Sequence, residues 1–431
     1  MMLYDYIIVG NAILGLTTAY RLTQLAPQAT LCILGPAGRP DSATAAAGAM
    51  LGLFGEVTAA QSAEPLDQAY FQLAYHAQTI WPDFVDELTR QLDGQDAVQI
   101  HPNGTFILHS QQSAQHRDTR NYQAILSALR TYQEPHTEVT PGDIPGLSPA
   151  ECDIVRGGVY IPRERSIQPM TVLAALETIL GRNPQVTYQD ATVTQLLTEP
   201  HNQHRIRGVL LDNGEQVIAD QVVLAAGVGT QAILDALPVL NGCIPHIMAG
   251  DGVSFVMDQT PMGMHTIEHV IRTPNRAGAY GLHLVPNVQQ PTLLYLGASN
   301  VLRWRPVSGA SEKQAQQIKQ ESAHEISTWL KQAKILAVQQ GQRPTPIDGY
   351  PLFGACTGVA GLWLLTGTGR DGFQRAPLLS WHIARQMTGD THYSLAETHT
   401  LAAFAAFTPE RKPLQTMPQT AVLYGDATSA E

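Results

Sequence analysis

An α/β fold is predicted, with a mostly parallel sheet layer divided by a strand-rich insert. Three observations lead to it. Residues 6–15, Tyr6-Ile7-Ile8-Val9-Gly10-Asn11-Ala12-Ile13-Leu14-Gly15, read as strand, glycine turn and helix start. Two further buried strands that run into glycine, residues 221–227 and 362–367, stand much later in the chain. Between these pieces the sequence is rich in strand patterns, above all over residues 252–297. The parallel layer therefore has parts at both ends of the chain.

The opening turn needs Gly10 for its dihedral freedom. The helix that follows offers free N–H groups and a positive dipole end to a pyrophosphate, and Gly15 lets that helix sit close on the strand. The middle position of the G-x-G-x-x-G pattern is Ala12, whose methyl group crowds a phosphate without excluding it. Helical spacing of Leu16, Ala19, Leu22 and Leu25 runs on until Pro27. A second strand covers residues 30–34 and is followed by Gly35, where such folds carry an acid for the adenosine ribose. Asp41 is a candidate to reach back in its place. Residues 41–52 form a small-residue loop that permits close backbone approach to something flat or charged; an alanine-rich helix start fits the composition equally.

Residues 66–92 read as helix, 98–108 as strands around the turn Pro102-Asn103-Gly104, and 111–132 as a polar helix. Residues 157–162 form a strand at a boundary, and 170–180 a short helix. Residues 186–197 and 205–217 read as antiparallel strands, with Asp212-Asn213-Gly214 as a hairpin turn. An amphipathic helix is predicted over 311–330, with Ala315, Ile318, Ala323, Ile326 and Leu330 inward, and a last core helix over 376–387. No internal repeat is found. The resulting division gives residues 1–90, 150–236 and 340–400 to the nucleotide-binding domain. Residues 91–149 and 237–339 form a substrate domain, and 401–431 a C-terminal tail, polar from about Pro413.

The 431 residues are 44% hydrophobic and only 15% charged, which suits an enzyme with much buried sheet. A formal charge of −11 with no block of lysine or arginine argues against nucleic acid as a partner. No stretch approaches the length of a membrane span, and the start lacks a basic region and a long apolar run. Cys32, Cys152, Cys243 and Cys356 have neither metal nor disulfide spacing, so a reduced, cytoplasmic protein is the expectation. The oligomeric state stays open, a homo-oligomer included.

Arg370 follows Gly367-Thr368-Gly369 at the end of a buried strand, where α/β sheets bind ligands; a surface salt bridge is the plainer alternative. Arg343 admits a structural role at a domain join, and His283 and Tyr280 admit ordinary core roles. His265-Thr266-Ile267-Glu268-His269 matches H-x-x-E-H, but Pro261, Gly263 and Pro274 crowd the segment, and 15 histidines make a chance match easy. No metal is expected there.

Four segments, in order and spacing, resemble one family. They are residues 7–15, 42–52, 222–227, and 343–370 with the helix after it. Together they resemble the FAD-dependent amine oxidases of the glycine oxidase and D-amino acid oxidase type, with glycine oxidase the nearest. The most specific parts are Ala45-Ala46-Ala47-Gly48-Ala49-Met50-Leu51-Gly52 and Gly341-Gln342-Arg343-Pro344 with Asp348, Gly349 and Gly354 beyond it. The resemblance implies a Rossmann-type FAD-binding domain with an inserted antiparallel sheet. Gly10, Ala12, Ile13, Leu14 and Gly15 would hold the pyrophosphate. Asp41, Ser42 and Thr44 would bind the cofactor, and the loop Ala46, Ala47, Gly48 and Met50 would pass along the flavin, Met50 near its substrate face. Val193 would contact the adenine, and Ala225, Ala226 and Gly227 would border the cofactor. Gly369, Arg370, Asp371, Gly372 and Phe373 would lie near the pyrimidine edge. Arg370 resembles the arginine that grips the substrate carboxylate, and Arg343 a second arginine near it. His283, in Leu282-His283-Leu284, falls where the nearest relatives have tyrosine, with Tyr280 just before it.

The implied chemistry is hydride transfer from a small amino acid or amine carboxylate to flavin, giving an imine, with O2 then reduced to H2O2. Two alternatives remain at this level. One is a flavin dehydrogenase or tailoring enzyme acting on a larger or carrier-bound amine, motivated by His283. The other is a non-catalytic protein with a degenerate nucleotide site, motivated by Ala12 and Gly35.

Overall fold

Continuous apolar runs make the first layer. Ile7, Ile8, Leu31, Ile33, Val222 and Val223 are fully buried, as expected of strands covered on both faces. In a computed structural model, residues 3–59, 65–92, 98–110, 117–275, 280–309, 312–393 and 395–411 are described. Six strands of the first sheet lie in the order Leu352–Ala355, Leu362–Thr366, Gln216–Leu224, Leu3–Val9, Leu31–Leu34 and Val186–Gln189. All but the first run parallel, and Leu352–Ala355 is an antiparallel edge. Strands from both ends of the chain thus share one sheet.

The antiparallel pairing expected for residues 186–197 and 205–217 holds only from residue 193 onward. Val186–Gln189 joins Leu31–Leu34 in parallel, while Val193–Glu199 pairs with Asn202–Leu211. The Asp212-Asn213-Gly214 turn joins Asn202–Leu211 to Gln216–Leu224, with Gly208 opposite Ile218. Alternation along a strand says which face is buried, not which strand lies beside it.

Helix Ile13–Leu25 follows the opening strand and is buried along most of its length, between the sheet and helix Gly372–Thr388. Thr18 Oγ1 donates to Ser380 Oγ at 3.2 Å across that contact. Helix Pro65–Gln91 adds Trp81, which stacks on Phe373 at 5.3 Å and donates its indole N–H to the Gln374 carbonyl at 2.7 Å. The start of Gly372–Thr388 is thereby fixed, directly after Arg370.

The second sheet has nine strands. Every pairing in it is antiparallel except one: Val270–Arg272 runs parallel to Thr105–Ser110. Val155–Ile161, within the stretch assigned to the nucleotide layer, pairs here with Thr105–Ser110 and Thr137–Val139. Strand Lys334–Pro346, unpredicted, pairs along the whole of Ile247–Asp258 and carries Arg343. The amphipathic helix stops at Glu325, and a tight turn over Thr328–Lys331 keeps Leu330 buried.

Residues 401–411 are not tail. Helix Leu395–Ala405 and the turn after it bury Phe404 and Phe407, with Phe404 stacked on Phe353 at 5.2 Å. Arg411 donates to Asp348 Oδ2 at 2.9 Å and seals the contact. Residues 412–431, the rest of the expected tail, lie outside the described residues. Among the described residues no helix is long and apolar enough to cross a membrane.

Candidate active site

A cleft of about 690 Å³ begins where the parallel strands end and reaches the second sheet. At its near end Gly10 has φ +118°, and a Cβ there would lie 2.3 Å from the Ala225 carbonyl oxygen. Its N–H donates to the Leu34 carbonyl at 2.8 Å, tying the turn to the neighbouring strand. Ala12 is the helix N-cap, with φ −92° and no side-chain cap. A φ of that sign does not call for glycine, so alanine fits the middle position of the pattern. The uncapped first turn leaves N–H groups for an anion.

The expected cofactor positions mostly line this cleft. Gly10, Ala12, Ile13 and Leu14 line it; so do Asp41, Ser42, Thr44, Ala47, Gly48 and Met50 of the small-residue loop. Val193, the run Ala225 to Gly227, and the run Gly369 to Phe373 complete it. Gly15 and Ala46 stand behind the wall. A Cβ at Gly15 would lie 1.8 Å from the Gly10 carbonyl oxygen, and the Ala46 carbonyl accepts from Ser254 Oγ at 3.1 Å. Asp41 does not reach back toward Gly35. Its carboxylate accepts from Ser308 Oγ at 3.4 Å and its carbonyl from the Gln342 N–H at 2.9 Å, both on the second-sheet side. Asp371 stands at the N-cap position of helix Gly372–Thr388 without a side-chain capping bond, and its carboxylate pairs with Arg375 at 2.7 Å.

At the far end Arg370, Arg343, His283 and Met50 line the same cleft. Tyr280 starts strand Tyr280–Pro286, and its side chain lies outside the described residues. Arg370 Nη1 donates to Asn275 Oδ1 at 3.0 Å, and Nη2 lies 3.5 Å from His283 Nε2. Among the described residues Arg370 makes no ion pair with a carboxylate, unlike Arg272, which Glu56 holds at 2.6 Å. Arg343 Nη1 donates to the Ser299 carbonyl at 2.9 Å, in space left by Gly252. Burial and the nearby Arg370 charge lower the Arg343 guanidinium to about 10, still protonated at neutral pH. Burial, then Arg272 and Arg370, hold His283 well below the usual histidine range, so it is neutral. With Arg370 donating toward Nε2, the proton sits on Nδ1, which has no partner among the described residues.

Sequence reasoning missed the group that holds Arg370. Asn275 Oδ1 accepts from Arg272 at 3.1 Å as well as from Arg370, and its Nδ2 donates to Glu56 Oε2 at 2.8 Å. Burial raises the Glu56 carboxyl, but Arg272, Arg370 and the Asn275 amide outweigh it and keep Glu56 ionised, below the ordinary range. Glu164, fully buried, in turn accepts from the backbone N–H groups of Leu53, Phe54 and Gly55, the turn that carries Glu56. Tyr295, also missed, packs on the Gly48 loop, where a Cβ would lie 2.8 Å from its ring. One signal was readable: Arg272 interrupts the apolar strand Val270–Arg272, and a charged residue in such a place is rarely unpaired.

His265 and His269 do not share a helix face. His265 ends a short 3-10 segment and stacks on Trp329 at 4.0 Å, while His269 packs edge-on to Phe106.

A family model described as DAO, FAD dependent oxidoreductase, matches residues 5–386. The chain belongs to this family. It is an FAD-dependent oxidoreductase. It is 24% identical over 387 residues to glycine oxidase of Pseudomonas putida, covering 89% of this chain and 94% of that one. It is 23% identical over 412 residues to the uncharacterized oxidoreductase YurR of Bacillus subtilis, covering 89% and 95%. Its fold matches the crystal structure of glycine oxidase from Geobacillus kaustophilus with a TM-score of 0.74 at 20% identity, covering 96% of this chain and 100% of that one. It also matches iminodiacetate oxidase from Chelativorans sp., TM-score 0.72 at 18% identity, covering 94% and 99%.

FAD fits the residues present. The tight turn at Gly10 and the uncapped helix start suit the pyrophosphate, and the Ala47–Met50 loop leaves a slot for a flat ring.

Proposed function

We propose that this enzyme oxidises the C–N bond of a small amino acid or amine carboxylate to the imine, with O2 as the final electron acceptor and H2O2 as product. The observation that carries the reading is Arg370: a cation on the cleft wall, beside a neutral histidine, without a carboxylate of its own among the described residues. A planar guanidinium binds a carboxylate through two parallel hydrogen bonds, which fixes both position and orientation. Asn275 and Glu56 hold it from behind. Arg343 adds a second cation that favours an anionic ligand. His283 is neutral and adds no charge, while the Arg370 and Arg343 cations disfavour an ammonium in the cleft, so the amine is bound neutral with its nitrogen lone pair available.

When bound, FAD supplies the hydride acceptor. The substrate loses a hydride from the carbon beside nitrogen, the lone pair forms the C=N bond, and an N–H proton leaves. Water hydrolyses the imine to an oxo acid and an amine or ammonia. The relationship to glycine oxidases supports the substrate class.

A second reading, a flavin dehydrogenase or tailoring enzyme acting on a larger amine, is favoured by His283 standing where a tyrosine was expected. Peroxide yield under air separates the two. For the anchor, Arg370→Ala raises KM about a hundredfold with flavin retained, since losing one side of a desolvated charge pair costs a few kcal/mol. An unchanged KM contradicts the assignment.

A further inference from the structure

The strand Leu31–Leu34 ends at Gly35, about twenty residues past the last glycine of the opening pattern, where dinucleotide folds place an acid on the adenosine ribose. Here that position has no side chain, and Asp41 is engaged on the opposite side of the cleft. The space is filled from the turn instead. A Cβ at Gly35 would lie 2.7 Å from Asn11 Cγ and 2.8 Å from Asn11 Oδ1. An acid at 35 and the present Asn11 rotamer therefore exclude each other.

Asn11 has a fixed orientation. Its Nδ2 donates to the Pro36 carbonyl at 3.0 Å, and a carbonyl only accepts, so the amide nitrogen must face Pro36. Oδ1 is left as the acceptor. The backbone beneath is also held: Arg39 Nε donates to the Asn11 carbonyl at 2.8 Å, and Glu177 clamps the Arg39 guanidinium. Asn11, Gly35, Pro36 and Arg39 all line the cleft at its nucleotide end.

We propose that Asn11 replaces the missing acid, its Oδ1 accepting a hydrogen bond from a ribose hydroxyl of the FAD adenosine. The ribose is then held by a neutral acceptor delivered by the glycine turn, not by a carboxylate on the second strand. A neutral hydrogen bond is weaker than a charged one, so the contribution is a few-fold in affinity.

The test uses the full-length protein freed of flavin. FAD binding is followed by flavin fluorescence, with ADP and 2′,3′-dideoxy-ADP as competitors. The wild type prefers ADP by about three- to tenfold. Asn11→Ala loses that preference, and Asn11→Asp keeps it. Gly35→Glu alone weakens FAD binding, because the new side chain meets Asn11, whereas Asn11→Gly combined with Gly35→Glu restores the preference for ADP. This double variant also serves if Asn11→Ala does not fold. A wild type without preference, an Asn11→Ala protein that keeps it, or a double variant that lacks it overturns the proposal.

Discussion

Glu56 is the residue on which the substrate end depends most. It is the carboxylate that neutralises Arg272, which is 1% exposed, and it is bound to the same Asn275 that holds Arg370. Removing one partner of a buried pair leaves the other uncompensated, which costs about 3–5 kcal/mol. Glu56→Gln therefore lowers stability by about that much at pH 7, measured by urea unfolding. The sign of the pH dependence follows from the depressed folded-state pKa. The stabilisation is fully present above the ordinary glutamate range, about 4.3, and is lost as pH falls below it toward the folded value. The gap between wild type and Glu56→Gln thus closes on acidification, and a gap independent of pH in that range contradicts the ionised Glu56. His283 supplies a second check. Its folded-state pKa is lowered, so its ring stays neutral through the interval near pH 6.5 where free histidine titrates. NMR of the labelled ring is expected to show no titration there; a normal midpoint overturns the neutral assignment.

At the scale of elements, two glycines do different work. A Cβ at Gly10 would meet the backbone carbonyl of Ala225 on the adjacent strand, and the φ of +118° is itself strained for any other residue. Neither neighbour gives way, so Gly10→Ala costs about 1–3 kcal/mol and loses bound FAD, read from visible absorbance after gel filtration. A Cβ at Gly252 would lie 2.1 Å from Arg343 Nη1, the far end of a flexible side chain. Gly252→Ala shifts Arg343, weakening carboxylate binding while leaving FAD retention intact. Loss of flavin in that variant contradicts the placement of Arg343 at the substrate end. The opening strand, turn and helix were legible because one short window holds all three signals, glycine spacing included. Strand Lys334–Pro346 was not. Its first half is exposed and its second half buried, so the stretch shows no single period, and only its pairing with Ile247–Asp258 makes it a strand.

For the whole molecule, the layering was readable and the wiring of the site was not. Val222 to Leu224 and Leu362 to Thr366 announce a shared sheet through their apolar runs. Arg370 announces itself by its place after a strand and a glycine turn. Arg272 shows only that it needs a partner, and Glu56 and Asn275 gave no signal of their own, because Glu56 lies 216 residues from Arg272 and their relation exists only after both sheets have formed. Val155–Ile161 shows the same limit: its apolar pattern fits either sheet, and Thr105–Ser110 decides which. The two sheets together make the cleft, with the Gly10 turn at one end and Arg370 at the other. The central claim is that an amine is oxidised there while its carboxylate sits on Arg370. It is tested most directly by the visible spectrum of the flavin-loaded protein under argon, mixed with glycine, sarcosine, and D- and L-amino acids, and with the same amines lacking the carboxylate. The account predicts that the flavin bands bleach with a carboxylated amine, fail to bleach with its decarboxylated counterpart, and return with peroxide on admitting air. Bands that bleach equally with both forms, or survive the whole panel, contradict it.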